Sequence, residues 1–204
     1  MSPETLILFF SASIALGLAP GPDNLFVLAQ SAQHGIRAGL LVTIGLCTGL
    51  VFHTALVAFG VAVIFQTSPV AFTALKVIGA CYLLYLAVQA FRAGASRAEP
   101  ATLSHTKLYL RGIVMNITNP KVAIFFLAFL PQFVEPDTGE LPLQIAQLGL
   151  LFILATLLVF GAVALLAGYL SGWLRTSSRA QQALNYLAGT VFVALAARLV
   201  LVQN

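Results

Sequence analysis

The sequence predicts an all-α, polytopic membrane protein, and its composition, its long apolar segments and the placement of its charges support that fold class. Of its 204 residues, 60% are hydrophobic and only 8% are charged, and the mean hydropathy is +0.98. Soluble domains carry about 25% charged residues. Six apolar stretches each reach the roughly 20 residues that a transmembrane helix needs.

The predicted helices form two groups of three on either side of a polar loop. They span about residues 5–32, 39–65, 72–91, 108–134, 143–170 and 182–201. The first five residues include Glu4 and contain no Lys or Arg, which disfavours a cleaved signal peptide. We therefore expect one integral membrane domain over residues 1–204, with repeats at about 1–93 and 108–204 and a loop at 94–107.

Both predicted repeats begin with a helix that proline interrupts. Pro20-Gly21-Pro22 breaks helix one, and Pro120 breaks helix four. The third helix of each half also opens in a similar way, at residues 74–79 and 183–189. A repeat with an odd number of helices must insert the second time in the opposite orientation. The predicted architecture is therefore six transmembrane helices as two inverted three-helix repeats, an arrangement found in many secondary transporters.

Basic residues concentrate in every second connection between the predicted helices. Connections 1–2, 3–4 and 5–6 hold seven Lys and Arg residues, whereas connections 2–3 and 4–5 hold one, Lys76. Because cytoplasmic loops are enriched in Lys and Arg, the first set is predicted to be cytoplasmic and both termini are predicted to lie outside. A re-entrant first helix would instead place the N-terminus inside.

The first polar cluster surrounds the break in helix one. Two prolines around Gly21 must open the helix, because proline lacks the N–H that the helical hydrogen bond requires. Irregular backbone at membrane depth is tolerated where it faces protein or a water-filled cavity. Asp23 and Asn24 follow directly. An acid at this depth is costly and is usually functional.

The second polar cluster surrounds the break in helix four. Asn116 and Asn119 offer amides near the carbonyls that Pro120 leaves unpaired, and Lys121 precedes a long apolar run. Asp23 and Lys121 are therefore intramembrane charges of opposite sign in the two halves, and we infer that they meet near the pseudo-symmetry axis. This prediction places the candidate site at Asp23, Asn24, Asn116, Asn119 and Lys121, next to the helix-break residues Pro20, Gly21, Pro22 and Pro120.

Three interpretations of the charged pair remain open. The pair can be architectural and hold two broken helices together, or each charge can extend to a membrane interface. In the functional interpretation the two charges and the helix ends bind a zwitterion or exchange a proton, with Asp23 as the proton-coupling acid. Helix N-termini would favour the carboxylate of such a ligand.

Two features of helix two, a histidine and a pair of glycines, can each be interpreted in two ways. His53 lies among apolar residues and either packs as a hydrogen-bonded histidine or joins a proton relay. Gly45 and Gly49 form a small-xxx-small pair, which indicates close helix packing inside the protein or at a homodimer interface. A homodimer also suits a chain with only six short helices.

Several function classes fit the sequence poorly. The chain contains no GxxxxGK[ST] nucleotide-binding loop, no CxxC and no run of five basic residues, which disfavours direct ATP coupling, redox chemistry and nucleic-acid binding. Cys47 and Cys81 lie in the same half, whereas a thiol-redox carrier wants equivalent cysteines in both. His53 is the one histidine within the predicted helices, which disfavours haem and metal clusters. We predict no enzymatic activity, no cofactor and no resident metal.

The two broken helices resemble those of the LysE/RhtB family of bacterial amino-acid exporters, the LysE-type translocators. The motifs that carry the resemblance are residues 18–23 (LAPGPD), 112–121 (GIVMNITNPK) and 125–133 (FFLAFLPQF). The likeness covers essentially the whole chain, with six apolar segments and a polar loop after the third.

The resemblance implies a multi-pass protein of the bacterial cytoplasmic (inner) membrane that exports amino acids or close derivatives, driven by the proton-motive force. Its partners would be a small-molecule amino acid, protons and the lipid bilayer. Because Lys121 balances Asp23, we expect a neutral amino acid such as leucine, homoserine or threonine. The alternatives are export of a metal ion or another small metabolite, or a passive channel.

Overall fold

The computed structural model describes residues 1–19, 21–67, 69–92, 104–135 and 140–176, with isolated positions between 182 and 197. The described residues are helical apart from short connections and contain no strand. Pro20, most of the predicted loop at 94–107 and most of the predicted sixth helix at 182–201 lie outside them. The all-α fold class agrees with the sequence prediction.

The helices follow the predicted segments closely, with α1 and α2 together forming the first of them. They are α1 (Pro3–Leu18), α2 (Pro22–His34), α3 (Ile36–Thr67), α4 (Pro69–Arg92), α5 (His105–Thr118), α6 (Pro120–Ile124) and α7 (Leu141–Thr176). After α6 the chain continues as a π-helical turn at Phe125–Phe129 and a 3-10 turn at Leu130–Phe133.

Two stretches are long and apolar enough to cross a membrane unbroken, Ile36–Gly60 in α3 and Leu141–Ala167 in α7. Two further spans follow if each bent pair counts as one. The axes of α1 and α2 differ by 63°, and that of α5 differs by 50° from that of Pro120–Phe133. The described residues therefore contain two clear spans and up to four, as expected for a membrane protein, whereas the arrangement as two inverted three-helix repeats remains a prediction.

Both interruptions are built by proline together with local capping. α1 ends at Leu18, and α2 begins at Pro22, whose missing N–H costs nothing at the first helical position. α5 ends at Thr118, and α6 begins at Pro120 after the N-cap Asn119. The Oδ1 of Asn119 accepts a hydrogen bond of 3.0 Å from the backbone N–H of Lys121, which fixes the start of α6.

The segment after α6 departs from the regular helix that the sequence predicted up to residue 134. Pro131 has no N–H to continue an α-helix, and the chain tightens into the 3-10 turn around it. The turns direct phenylalanines into an aromatic cluster with Phe9 of α1 and Phe152 of α7. Ring centroids lie 4.8–5.2 Å apart in the pairs Phe125–Phe129, Phe129–Phe133, Phe9–Phe133, Phe126–Phe152 and Phe125–Phe152. This aromatic cluster packs α1 and the turns after α6 against α7.

The glycine pair of α3 lies at an internal helix contact. A Cβ on Gly45 would collide with the carbonyl oxygen of Tyr109 and lie 3.0 Å from the Cα of Gly112 in α5. A Cβ on Gly49 would lie 2.7 Å from the side chain of Asn116. Of the two interpretations of this pair, the structure therefore favours packing within the protein. The homodimer prediction is therefore supported only by the small size of the chain.

The substitution Gly45→Ala should destabilise the protein, because the new methyl group must push α3 away from α5. Overpacking of this kind costs about 1–3 kcal/mol, and we expect a loss of about 2 kcal/mol in the free energy of unfolding, measured by denaturation in detergent micelles. The matched control is Gly60→Ala, since nothing lies within 4 Å of a Cβ there. An equal response of the two variants would contradict the close packing.

Candidate functional site

The two broken helices meet at a small internal cavity of about 20 Å³. The residues around it come from α1, α2, α3, α5, α6 and α7, so the cavity lies where the two interruptions face the long helices. Its lining is Leu16, Gly17, Asp23, Leu46, Asn116, Lys121, Val122, Phe152, Thr156 and Phe160. The lining is mostly apolar and includes four polar side chains, and a cavity of this size accommodates one water-sized group.

Asp23 lies in the first turn of α2 and is only 3% exposed. A carboxylate is favoured there, because the free N–H groups and the macrodipole make a helix N-terminus positive. Its Oδ2 accepts a hydrogen bond of 2.8 Å from the Nδ2 of Asn119. Its Oδ1 has no hydrogen-bond partner among the described residues. One carboxylate oxygen is thus fixed and the other is available to a ligand or a proton.

Lys121 reaches across from α6 to the interrupted end of α1. Its Nζ donates hydrogen bonds of 3.2 Å to the carbonyl of Leu16 and 3.0 Å to the carbonyl of Ala19. The Leu16 carbonyl would normally accept from the N–H four residues later, but that residue is Pro20. The ammonium therefore replaces the donor that proline removes and neutralises the negative end of α1.

Asp23 and Lys121 share the cavity without direct contact. Their opposite charges are close enough to interact, but within the described part of the chain the two side chains form no ion pair. Asn119 joins them instead, because its amide nitrogen donates to Asp23 while its amide oxygen accepts from the backbone of Lys121. The two charges that we inferred to meet are therefore linked indirectly, through Asn119.

Asn24 and Gly21 shape the first break. The Nδ2 of Asn24 donates a hydrogen bond of 2.7 Å to the carbonyl of Gly17, near the end of α1. A Cβ on Gly21 would lie 3.3 Å from the Nζ of Lys121, so glycine leaves room for the ammonium at this position. Both residues therefore support the path of the backbone, and Asn24 does not line the cavity.

Asn116 and His53 complete the second break. The carbonyl of Asn116 lacks its normal donor four residues later, at Pro120, and accepts instead from the backbone N–H of Asn119 at 3.1 Å. The Nε2 of His53 lies 3.2 Å from the same carbonyl. Because a carbonyl only accepts, Nε2 must carry the proton. The ring is buried between Phe52 and Phe126, with centroids 6.0 and 5.5 Å away. This environment fits a hydrogen-bonded packing histidine better than a proton relay.

The substitution His53→Phe separates these two roles. The new ring keeps the packing but removes the side-chain donor of a carbonyl that retains the N–H of Asn119, so the free energy of unfolding should fall by about 0.5–1.5 kcal/mol. We expect the pH dependence of transport to stay unchanged. Denaturation in micelles and transport at several pH values measure the two effects. A shifted pH profile with intact stability would instead support a relay.

The site also contains residues that the sequence analysis did not single out. Three residues of α7 line the cavity, namely Phe152, Thr156 and Phe160. Thr156 is buried and is the one polar residue in the apolar stretch 148–168. This single hydroxyl is the feature of the sequence that could have identified Thr156 as a site residue. Leu16 contributes its backbone carbonyl, which no side-chain pattern reveals, although its position four residues before Pro20 does.

Comparison with known proteins agrees with these motifs. The chain matches the family described as LysE type translocator over residues 14–203. The chain belongs to this family. Its members are transporters, and this LysE-type translocator is therefore a membrane transporter and not an enzyme.

Two curated relatives resemble this LysE-type translocator along almost their entire length. It is 34% identical to a homoserine/homoserine lactone efflux protein of Salmonella typhi over 203 residues, which cover 98% of this chain and 97% of the relative. It is 31% identical to a leucine efflux protein of Salmonella choleraesuis over 209 residues, which cover 96% and 94%. No solved structure matches it significantly.

Proposed function

We propose that this protein is a secondary active exporter of neutral amino acids and their close derivatives, located in the bacterial cytoplasmic membrane and driven by the proton-motive force. The observation that carries the proposal is Asp23, a buried acid that lines the cavity between two broken helices and has one carboxylate oxygen without a partner in the described part of the chain. Such an acid can take a proton from one side of the membrane and release it to the other.

The names of the relatives narrow the substrate class. Homoserine, homoserine lactone and leucine share an α-amino group, whereas a lactone has no free carboxylate. All three are small, and none has a charged side chain. A site with one buried acid and one buried cation, Asp23 and Lys121, suits substrates of this kind better than dibasic ones.

Proton coupling follows if proton and substrate compete for Asp23. The carboxylate can hold either a proton or a cationic group of the substrate, so binding of one releases the other, and the exchange amounts to antiport. With the loops 1–2, 3–4 and 5–6 in the cytoplasm, as their Lys and Arg residues predict, the protein would release substrate outside in exchange for an entering proton.

Export from cells preloaded with labelled amino acids tests this function. Cells that produce the protein should lose leucine, homoserine or threonine faster than control cells, and a protonophore should abolish the difference. Flux that is insensitive to the protonophore would indicate a passive channel. If no amino acid leaves faster, the amino-acid assignment is wrong and export of a metal ion or another metabolite becomes the leading alternative.

A further inference from the structure

We propose that the cavity between the broken helices is a subsite for the α-ammonium group of the substrate, with Asp23 and Asn116 as its ligands. Asn116 is then the residue that determines specificity for amino compounds, and the substrate carboxylate is dispensable. This inference rests on the proposed function, and it adds which group of the substrate is recognised and by which atoms.

The unpaired atoms of the site are acceptors. The Oδ1 of Asp23 and the Oδ1 of Asn116 are buried and have no hydrogen-bond partner among the described residues, and both residues line the same cavity. Both side chains are 3% exposed. A buried acceptor without a donor costs free energy, so the pair favours a ligand that brings donors. An ammonium group supplies three N–H donors and no acceptor.

Two donors beside the cavity, those of Asn119 and Lys121, already have partners. The amide nitrogen of Asn119 donates to Asp23, and Lys121 donates two of its three N–H bonds to carbonyls of α1. From Lys121, a substrate carboxylate could use only the one remaining N–H unless it drew the ammonium away from the carbonyl of Leu16 or Ala19. An ammonium needs no such rearrangement, because its acceptors are free.

The size of the cavity supports the same conclusion. About 20 Å³ accommodates one group the size of a water molecule. An ammonium head fits this volume, whereas an entire amino acid does not. The rest of the substrate must therefore lie outside this cavity, while its amino group stays between Asp23 on α2 and Asn116 on α5.

Thr156 brings a side-chain hydroxyl to the lining of the cavity. It comes from the unbroken helix α7, lines the cavity and is 5% exposed. Its hydroxyl can accept a third hydrogen bond. Three oxygen atoms from three helices would then surround one ammonium. A sodium ion also prefers oxygen ligands, so the experiment must separate an amino compound from a metal cation.

Competition between leucine and its analogues in a counterflow experiment shows which group of the substrate the protein recognises. Purified protein in liposomes is loaded with leucine, and uptake of labelled leucine is measured without a pH gradient, so that permeant amines have no gradient to dissipate. We expect leucinamide, which lacks the carboxylate, to compete within about 10-fold of leucine. N-acetyl-leucine and 2-hydroxyisocaproate, which lack the ammonium, should compete at least about 10-fold more weakly, as expected for loss of a charged hydrogen bond.

Two substitutions of Asn116 test the assigned atom. Asn116→Leu has a similar shape but no acceptor, and should raise the half-saturating leucine concentration at least about 10-fold. Asn116→Asp keeps an oxygen at this position and should stay closer to the wild type. The matched control is Thr118→Val, because Thr118 is exposed on α5 and bonds only to its own helix. Denaturation of each variant in micelles shows whether it is folded.

The outcomes separate this inference from the proposed function. If leucine exchanges but N-acetyl-leucine competes as well as leucinamide, export stands and the ammonium subsite is wrong. If folded Asn116→Leu exchanges leucine with wild-type affinity, Asn116 is not a ligand. If exchange requires sodium, and the compounds with and without an ammonium group compete equally, a metal cation occupies the cavity and the inference is wrong. If none of leucine, homoserine and threonine exchanges in any condition, the proposed function itself fails.

Discussion

Asp23→Asn should reduce export driven by a pH gradient at least about 100-fold. The substitution removes the negative charge that binds the substrate amino group and the group that carries the proton, and a factor of 100 corresponds to about 2.7 kcal/mol, within the range of charged hydrogen bonds. Asparagine has nearly the same shape, and its carbonyl oxygen can accept the hydrogen bond from Asn119. The fold should therefore survive while transport is lost.

Export from proteoliposomes with an imposed pH gradient measures this effect, and Asp23→Glu is the informative companion. Glutamate keeps the charge but lengthens the side chain in a cavity of about 20 Å³, so partial activity is expected. Transport by Asp23→Asn at the wild-type rate, with the wild-type pH dependence, would show that Asp23 couples no proton. Thr118→Val again serves as the control for reconstitution.

The helical segments were largely predictable, because hydrophobic length and proline position act locally. Pro22 and Pro120 begin new helices as expected, and the first five predicted helices appear close to their predicted positions. The turns after α6 were not predictable in the same way. Their form depends on how Phe125, Phe129 and Phe133 pack against other helices, and such contacts between distant segments are not encoded in a hydropathy pattern.

The site was predictable as a set of residues but not as a set of contacts. Charge and amide groups next to a helix break identified Asp23, Asn119 and Lys121. Their connection was not visible, because the ammonium of Lys121 pairs with backbone carbonyls and not with the acid. The contribution of Thr156 depends on where α7 passes the breaks, which only the tertiary structure shows.

Proline and its replacement donors explain why this arrangement is stable in a membrane. Pro20 and Pro120 each remove the normal helical donor of a carbonyl four residues earlier, at Leu16 and Asn116, and the second of these still accepts from the N–H of Asn119. Lys121 donates to the first and His53 to the second. At each break, a side chain from another helix therefore donates to the backbone. Lys121 also links the second break to the first. Because these donors serve the backbone, Asp23 and the side chain of Asn116 remain available to a ligand.

This division of roles predicts that Lys121→Met is mainly a stability mutant. Methionine is similar in length but leaves the carbonyls of Leu16 and Ala19 without their donor, and the free energy of unfolding should fall by about 3 kcal/mol. The matched control is Lys107→Met, the same substitution at an exposed position of α5, which should change stability little. Denaturation in micelles measures both variants.

The double variant Asp23→Asn/Lys121→Met decides how far the two charges stabilise each other. If Lys121 also balances the charge of Asp23, removing both should cost less than the sum of the single losses. If Lys121 serves only the α1 carbonyls, the losses should add, because those carbonyls stay unpaired whatever residue 23 is. Wild-type stability of Lys121→Met would contradict both versions, since it would mean that the hydrogen bonds to Leu16 and Ala19 contribute nothing to the fold.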